Sequence, residues 1–221
     1  MVRPRVEETS NGIQGEFPVE IYDQMMRHLR DKGWIETKLV IRSGIERGRC
    51  LEIGPGPGYL GLEWLRGTDN TSLTALEISP AMIEKARSNA KEYGLEVRAT
   101  YVEGDAQQMP FEDAEFDAIF TNGSLHEWAA PEKVFDEVFR CLKPGGKYFI
   151  SDMRRDMAFP VKCFMRSITK PKDILPGLNS SMNAAYTVTE ILAILGRTKL
   201  ESSEVKKTTM GFQITGEKRL S

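Results

Sequence analysis

The stretch Leu51-Glu52-Ile53-Gly54-Pro55-Gly56-Pro57-Gly58-Tyr59-Leu60-Gly61 decides the fold. It opens on an apolar, strand-like run and passes directly into three glycines alternating with prolines. The backbone therefore turns sharply where no side chain blocks an incoming ligand. A dinucleotide fingerprint would place a third glycine or alanine three residues after the second, where a helix packs closely on the strand. That position is Tyr59, which argues against a nicotinamide cofactor and an oxidoreductase. Acidic Glu52 sits two residues before the first glycine. Glu77 closes the next strand, about twenty residues beyond the turn, where a carboxylate accepts both hydroxyls of a ribose.

Four further stretches follow in order: Ala75-Leu-Glu-Ile-Ser-Pro80, Glu103-Gly-Asp-Ala106, Phe116-Asp-Ala-Ile-Phe120 and Leu142-Lys-Pro-Gly-Gly146. With the glycine turn, this series resembles the class I S-adenosylmethionine-dependent methyltransferases. The resemblance implies S-adenosyl-L-methionine as cofactor, cradled by Gly54, Gly56 and Gly58, with Glu52 and Glu77 as the motif's acids. It also places Asp105 at the adenine amino group, Ile78 and Ala106 beside the ring, and Asn122 at the methionine end. Ile21-Tyr22-Asp23 is similar to a tyrosine-aspartate on the family's amino-terminal helix, making Tyr22 the residue that folds over the cofactor.

Ser124-Leu-His-Glu-Trp128 is closest to the methyltransferases of quinone biosynthesis and their small-molecule relatives, and the Asn/Asp-Pro-Pro-Tyr of many amide and base N-methyltransferases is absent. A small-molecule acceptor is therefore expected. His126 is the candidate base, since imidazole exchanges protons near neutral pH, and it reads equally well as a structural anchor of its loop. Trp128 reads as a packing residue or, as the candidate in the site, a substrate platform. A catalytically silent cofactor-binding partner protein is the alternative from another class.

The architecture follows from alternation. Strands are expected at Cys50–Ile53, Leu73–Ile78, Val97–Val102, Phe116–Thr121 and Lys147–Ser151. Helices are expected from Pro18 to Gly33, over Ile35–Ser43, from Tyr59, from Pro80 with Ser79 as cap, and over Pro131–Leu142. Such spacing gives parallel βαβ units, hence an α/β, Rossmann-like doubly wound sheet with helices on both faces. The family's form would be seven strands, mostly parallel with an antiparallel last strand. Lys143–Gly146 is expected as a turn, and Thr187 or Thr189 as cap of a last helix. Two strands, Lys199–Lys206 and Met210–Gly216, read as a closing hairpin. The chain divides into an amino-terminal helical lid (1–48), a cofactor core (49–152), a cap insertion (153–186) and a carboxy-terminal segment (187–221).

The cap is long, rich in Met, Phe and Pro, and basic, so it is expected to form helical pieces rather than a bare loop. Its Arg154 and Arg155, directly after the fifth strand, favour an anionic acceptor.

A net charge of −2 over 221 residues lacks the basic excess of a dedicated nucleic-acid binder. No apolar run approaches the twenty residues of a membrane span, and Met1–Gly15 is polar, non-periodic and without a secretory core, so a cytoplasmic protein with a mobile amino terminus is expected. Cys50, Cys141 and Cys163 are scattered and only His28 and His126 accompany them, so no zinc site or other metal centre is expected. The same scatter sets aside the arsenic methyltransferases, which need clustered cysteines.

Overall fold

A computed structural model describes residues 4–8 and 15–219. Seven strands form one sheet: β1 (Gly48–Ile53), β2 (Thr71–Glu77), β3 (Ala99–Glu103), β4 (Phe116–Asn122), β5 (Leu142–Met153), β6 (Glu204–Lys207) and β7 (Gly211–Glu217). Their order is β3-β2-β1-β4-β5-β7-β6. The first five run parallel, and β7 pairs antiparallel with β5 and β6. The order reverses between β1 and β4, and the strand tips there open a crevice, as they do in doubly wound sheets.

The helices are α1 (Glu16–Asp31), α2 (Thr37–Arg42), α3 (Tyr59–Arg66), α4 (Pro80–Tyr93), α5 (Pro131–Cys141), α6 (Phe159–Ile168), α7 (Leu175–Ala184) and α8 (Val188–Leu195). Ser79 caps α4 by accepting from Met82 N, and left-handed Gly94 ends it. Thr187 and Glu190 form a reciprocal capping box on α8.

Strand alternation sorts the core into two layers. Leu51, Ile53 and Ile119 pack with Phe135, Val138 and Ile191 on the α5 and α8 side. Cys50, Ala118 and Phe120 pack with Leu62, Trp64, Leu65 and Ala86 on the α3 and α4 side.

Beyond shifts of one or two residues at the ends of other elements, α1, β1 and β2 among them, boundaries differ from the sequence reading at three places. The third strand starts at Ala99, because Arg98 and Ala99 both bond back to Leu95 O and leave Val97 in an exposed turn. Lys143–Gly146 belongs to β5 instead of preceding it. Gly145 N donates to Lys218 O at 2.7 Å, while Lys218 N donates to Gly146 O at 2.8 Å. The hairpin's first strand begins only at Glu204, since residues 198–203 close on themselves through Ser203 N to Leu200 O and Glu201 N to Thr198 O.

Part of the amino terminus is anchored, against the expectation of mobility. Arg5 donates to Ala184 O at 2.6 Å and to His126 O at 2.9 Å, with its guanidinium over the Tyr186 ring. The remainder of that expectation concerns residues 1–3 and 9–14, outside those described. No helix of the described residues is long and apolar enough to cross a membrane.

Two buried groups near the glycine turn hold the elements around it. Tyr59, the residue that breaks the dinucleotide pattern, donates its hydroxyl to Asp23 Oδ1 at 3.0 Å, and Asn89 Nδ2 donates to the same oxygen at 2.8 Å and to Pro57 O at 2.9 Å. This network ties α1 to the turn and to α4. Glu52 shares Cys50's face of β1 and lies under α3, where a Cβ on Gly61 would collide with its Oε2. Its carboxyl accepts the Gly61 N–H, supplying a cap that left-handed Gly58 at the helix start lacks. Its Oε2 has no hydrogen-bond partner, and burial pushes the acid up to about 8.

Removing the Tyr59 hydroxyl with Tyr59→Phe should cost roughly 1.5–3 kcal/mol, the range for a bond to a charged group, read as a lower urea midpoint; an unchanged midpoint would show that Asn89 alone fixes Asp23. Glu52 in the folded chain keeps its proton to about 8, against an ordinary 4.5. The native state therefore binds the extra proton between those values, and its stability falls as pH rises through that window, by about 1.4 kcal/mol per unit at most. Glu52→Gln should remove this fall, so the variant gains on the native protein from pH 5 to pH 8 in paired urea titrations. Parallel stability curves would contradict it.

Candidate functional site

The crevice over the β1–β4 reversal is lined by Tyr22, Gly54, Gly56, Glu77, Ile78, Met82, Asp105, Ala106, Gly123, Ser124, Glu127 and Trp128, among others. Its floor is the glycine turn. Gly54 sits at φ +62°, and a Cβ there would stand 2.7 Å from Ser124 Cβ. Gly56 sits at φ +53°, and a Cβ there would meet the Tyr22 ring at 3.3 Å. Side chains at either place would be strained and would block the approach of a ligand to the backbone.

Glu77 stands at the centre. Its Oε2 accepts from Gly56 N at 3.1 Å and its Oε1 from Ser79 N at 3.0 Å. Burial raises its pKa, while these amides, with that of Ile78, oppose the rise. Each oxygen retains a further lone pair. Beyond it, Ile78 is 37% exposed, an unusual state for an isoleucine, and lines the crevice with Ala106. Asp105 is exposed, its carboxylate accepting Gln107 N at 2.8 Å. A pinned carboxylate beside bare backbone, followed by an open apolar ledge and a second acid, fits the ribose and adenine of S-adenosylmethionine.

The sequence-predicted residues therefore divide. Tyr22, Gly54, Gly56, Glu77, Ile78, Asp105, Ala106 and Trp128 line one crevice. Gly58 instead caps α3, and Glu52 faces α3 because strand alternation points it there. Asn122 does not line the crevice. Its Nδ2 donates to Ser151 Oγ at 2.9 Å and Glu36 Oε2 at 3.2 Å, and the neighbouring Gly123 and Ser124 take its place. Trp128 is mostly buried, edge-on to Phe135 at 5.7 Å.

Arg154 and Arg155 turn away from the crevice and are buried. Arg154 donates to Thr208 O and pairs with Asp156 at 2.8 Å. Arg155 bonds Ala185 O and pairs with Glu190 at 2.6 Å. They fasten the end of β5 to the hairpin and to α8, which removes them as an anion-binding pair at this site.

His126 lies in a short helical turn, Leu125–Glu127, immediately behind the crevice wall. Its Nδ1 lies 3.0 and 2.9 Å from the two oxygens of Asp152, and its backbone N donates to Asp152 Oδ2 at 2.7 Å. Nε2 faces Glu8 Oε2 at 3.5 Å and Glu127 Oε1 at 4.0 Å. Burial pulls the imidazole down, but the carboxylates of Asp152, Glu127 and Glu8 outweigh it and push it up to about 9. Burial lifts Glu127 to about 7.

Sequence reasoning missed Glu8, Glu127 and Asp152. Asp152 had a signal, because it stands at the tip of β5, where ligand residues gather in such sheets. Glu8 had none, since it reaches His126 only through the folded course of residues 4–8.

Residues 51–150 match the profile of a methyltransferase domain. A sterol 24-C-methyltransferase of Clavispora lusitaniae is 37% identical over 103 residues, covering 47% of this chain and 27% of that protein. A ubiquinone/menaquinone biosynthesis C-methyltransferase of Psychromonas ingrahamii is 28% identical over 124 residues, 55% of this chain and 49% of that protein. The matched stretch thus spans half or less of these curated relatives. Among solved structures, a Methanococcus maripaludis protein assigned as an S-adenosyl-L-methionine-dependent methyltransferase superposes with TM-score 0.75 at 25% identity, over 100% of this chain and 98% of that one. A Haemonchus contortus phosphoethanolamine N-methyltransferase in complex with S-adenosyl-L-methionine shares the fold, with TM-score 0.62 at 22% identity over 79% of this chain and 38% of that one. Over residues 51–150 the chain thus carries the pattern of a methyltransferase domain, set in a fold like that of the S-adenosyl-L-methionine-dependent methyltransferases.

Proposed function

We propose that this chain transfers a methyl group from S-adenosylmethionine to a small-molecule acceptor. The observation that carries the proposal is Glu77, held by Gly56 N and Ser79 N at the floor of a crevice that continues into exposed Ile78 and Asp105. Glu77 would receive the ribose hydroxyls, Ile78 and Ala106 the flat of the adenine, and Asp105 its amino group. Tyr22 would close over the glycine turn from α1, giving residues 1–48 the part of a lid. Sterol and quinone methyltransferases among the relatives support a small organic acceptor.

The cofactor, when bound, supplies an electrophilic methyl on a sulfonium, so the residues here need not generate one. Their task is placement. Holding an acceptor atom in line at about 3 to 3.5 Å is worth roughly 7–11 kcal/mol, and the buried wall of Trp128 and Ser124 excludes water from that approach. The acceptor would enter between Tyr22, Glu127 and Trp128, beneath the helices of residues 153–186. The crevice carries Glu77, Asp105 and Glu127 but no lysine or arginine among its lining residues. A neutral or cationic acceptor is favoured over an anionic one. His126 positions Glu127 and the loop through Asp152, its imidazole behind the wall instead of in the crevice.

Product formation measured as S-adenosylhomocysteine release across a panel of phenols, quinols, amines and carbon acids tests the assignment. Turnover with a neutral or cationic member is expected; cofactor binding without turnover anywhere would return the silent-partner alternative. Glu77→Ala removes charge-assisted hydrogen bonds worth roughly 1.5–3 kcal/mol, so calorimetry with S-adenosylhomocysteine should show about ten- to a hundredfold weaker binding. Unchanged affinity in a folded variant would place the ribose elsewhere.

A further inference from the structure

Glu8, His126 and Glu127 each present a donor atom to one point, and these atoms lie within 4.8 Å of one another. Nε2 of His126 stands 3.5 Å from Glu8 Oε2 and 4.0 Å from Glu127 Oε1. Ligands held tetrahedrally at about 2.0–2.2 Å from a common ion are themselves about 3.4 Å apart. The Glu8–His126 separation is already at that value, and a small side-chain rotation of Glu127 completes the set.

Two further observations point to a ligand. The His126 side chain is 5% exposed, its Nδ1 is engaged by Asp152, and its Nε2 faces the carboxylates of Glu8 and Glu127. Glu8 Oε2 is buried beside it and, among the described residues, accepts no hydrogen bond. A buried carboxylate oxygen without a donor is costly. Arg5, the nearest arginine on the same segment, does not relieve it, because its guanidinium is engaged by Ala184 O, His126 O and Glu7.

The Asp152–His126 arrangement is also that of a ligating histidine. In metal sites the second ring nitrogen is commonly fixed by a carboxylate, which sets the tautomer and aims the free nitrogen at the ion. Here the carboxylate also accepts the histidine's own backbone N–H, at 2.7 Å, so the ring is held at both ends.

We propose that Glu8, His126 Nε2 and Glu127 form a binding site for one first-row divalent cation, with Asp152 as the positioning residue. One imidazole and two carboxylates suit Zn2+ or Mn2+, and three protein ligands leave a coordination position open. Glu127 lines the crevice, so that position borders the acceptor's side. The presence of the ion is independent of the methyl-transfer reading; only its use in fixing an acceptor heteroatom rests on it.

No motif announces this site, since its ligands come from a non-periodic amino-terminal segment and from the loop after β4. Short motif spacing, the usual guide to metal sites, does not apply to ligands so far apart along the chain.

The test uses the full chain stripped with a chelator, without cofactor or acceptor. Mn2+ is titrated and followed by electron paramagnetic resonance, and Zn2+ by calorimetry. One ion per chain is expected, together with a rise in thermal midpoint that grows with metal concentration. Glu8→Gln and His126→Gln should each weaken Mn2+ binding by about tenfold or more and abolish the thermal gain. Asp152→Asn should weaken it by about 10- to 100-fold. His28→Ala, which alters the other histidine, should change neither. Absence of binding to the native chain, or binding untouched by Glu8→Gln, overturns the site. Either result leaves S-adenosylhomocysteine affinity, and with it the functional proposal, unaffected.

Discussion

The carboxylate of Glu77 joins the tips of two neighbouring strands. By accepting Gly56 N–H with one oxygen and Ser79 N–H with the other, it fixes the glycine turn after β1 against the start of α4 after β2. Without that tie, two loops that both need unusual backbone geometry would be free to move independently. Ser79 is then set to cap α4, and Gly56 is held where only the Tyr22 ring stands above it. Shape and charge at the crevice floor are thus outcomes of one acid's hydrogen bonds.

Around this point the chain carries more buried acid than buried base. Glu52 lies under α3, Glu36 and Asp152 beside β4 and β5, and Glu127 at the crevice wall; burial raises the pKa of Glu36, Glu52, Glu77 and Glu127 alike. The arginines nearest in sequence do not balance them, since Arg154 and Arg155 are engaged by backbone carbonyls and by Asp156 and Glu190. Carboxyl groups kept from water at one end of the sheet are relieved by taking up protons or by a cation set beside them. His126 answers this need within the described residues, and a cationic sulfonium at the crevice floor or a divalent ion behind the wall would answer it further.

What could be read from the residues alone was what is encoded locally. The glycine turn, the Ser79-Pro80 helix start and the Thr187 capping box each depend on neighbours within a few positions, and the structure has them as expected. Glu52 was misassigned although the information was present: a period of two places it with Cys50 against α3, and the motif resemblance obscured that geometry. Arg154 and Arg155 misled for another reason. Their charge suggested a ligand, whereas their partners Thr208, Ala185 and Glu190 come from segments brought near only by folding. Lys143–Gly146 carries turn residues and yet sits in a strand, because the pairing with Lys218 comes from the far end of the chain.

The same distinction explains where similarity to other proteins stops. The stretch that matches the methyltransferase domain, residues 51–150, contains the glycine turn, Glu77, Asp105 and the His126–Glu127 pair, all placed by the strand tips of the sheet. Tyr22, which lines the crevice, and Glu8 lie before it, and Asp152, which holds His126 behind the crevice wall, lies just after it. The crevice wall itself takes in Tyr22, which reaches it from outside the matched stretch. The amino-terminal segment is held in place by Arg5 against Ala184 O, His126 O and Tyr186, so the surroundings of His126 depend on contacts that the matched stretch alone does not supply.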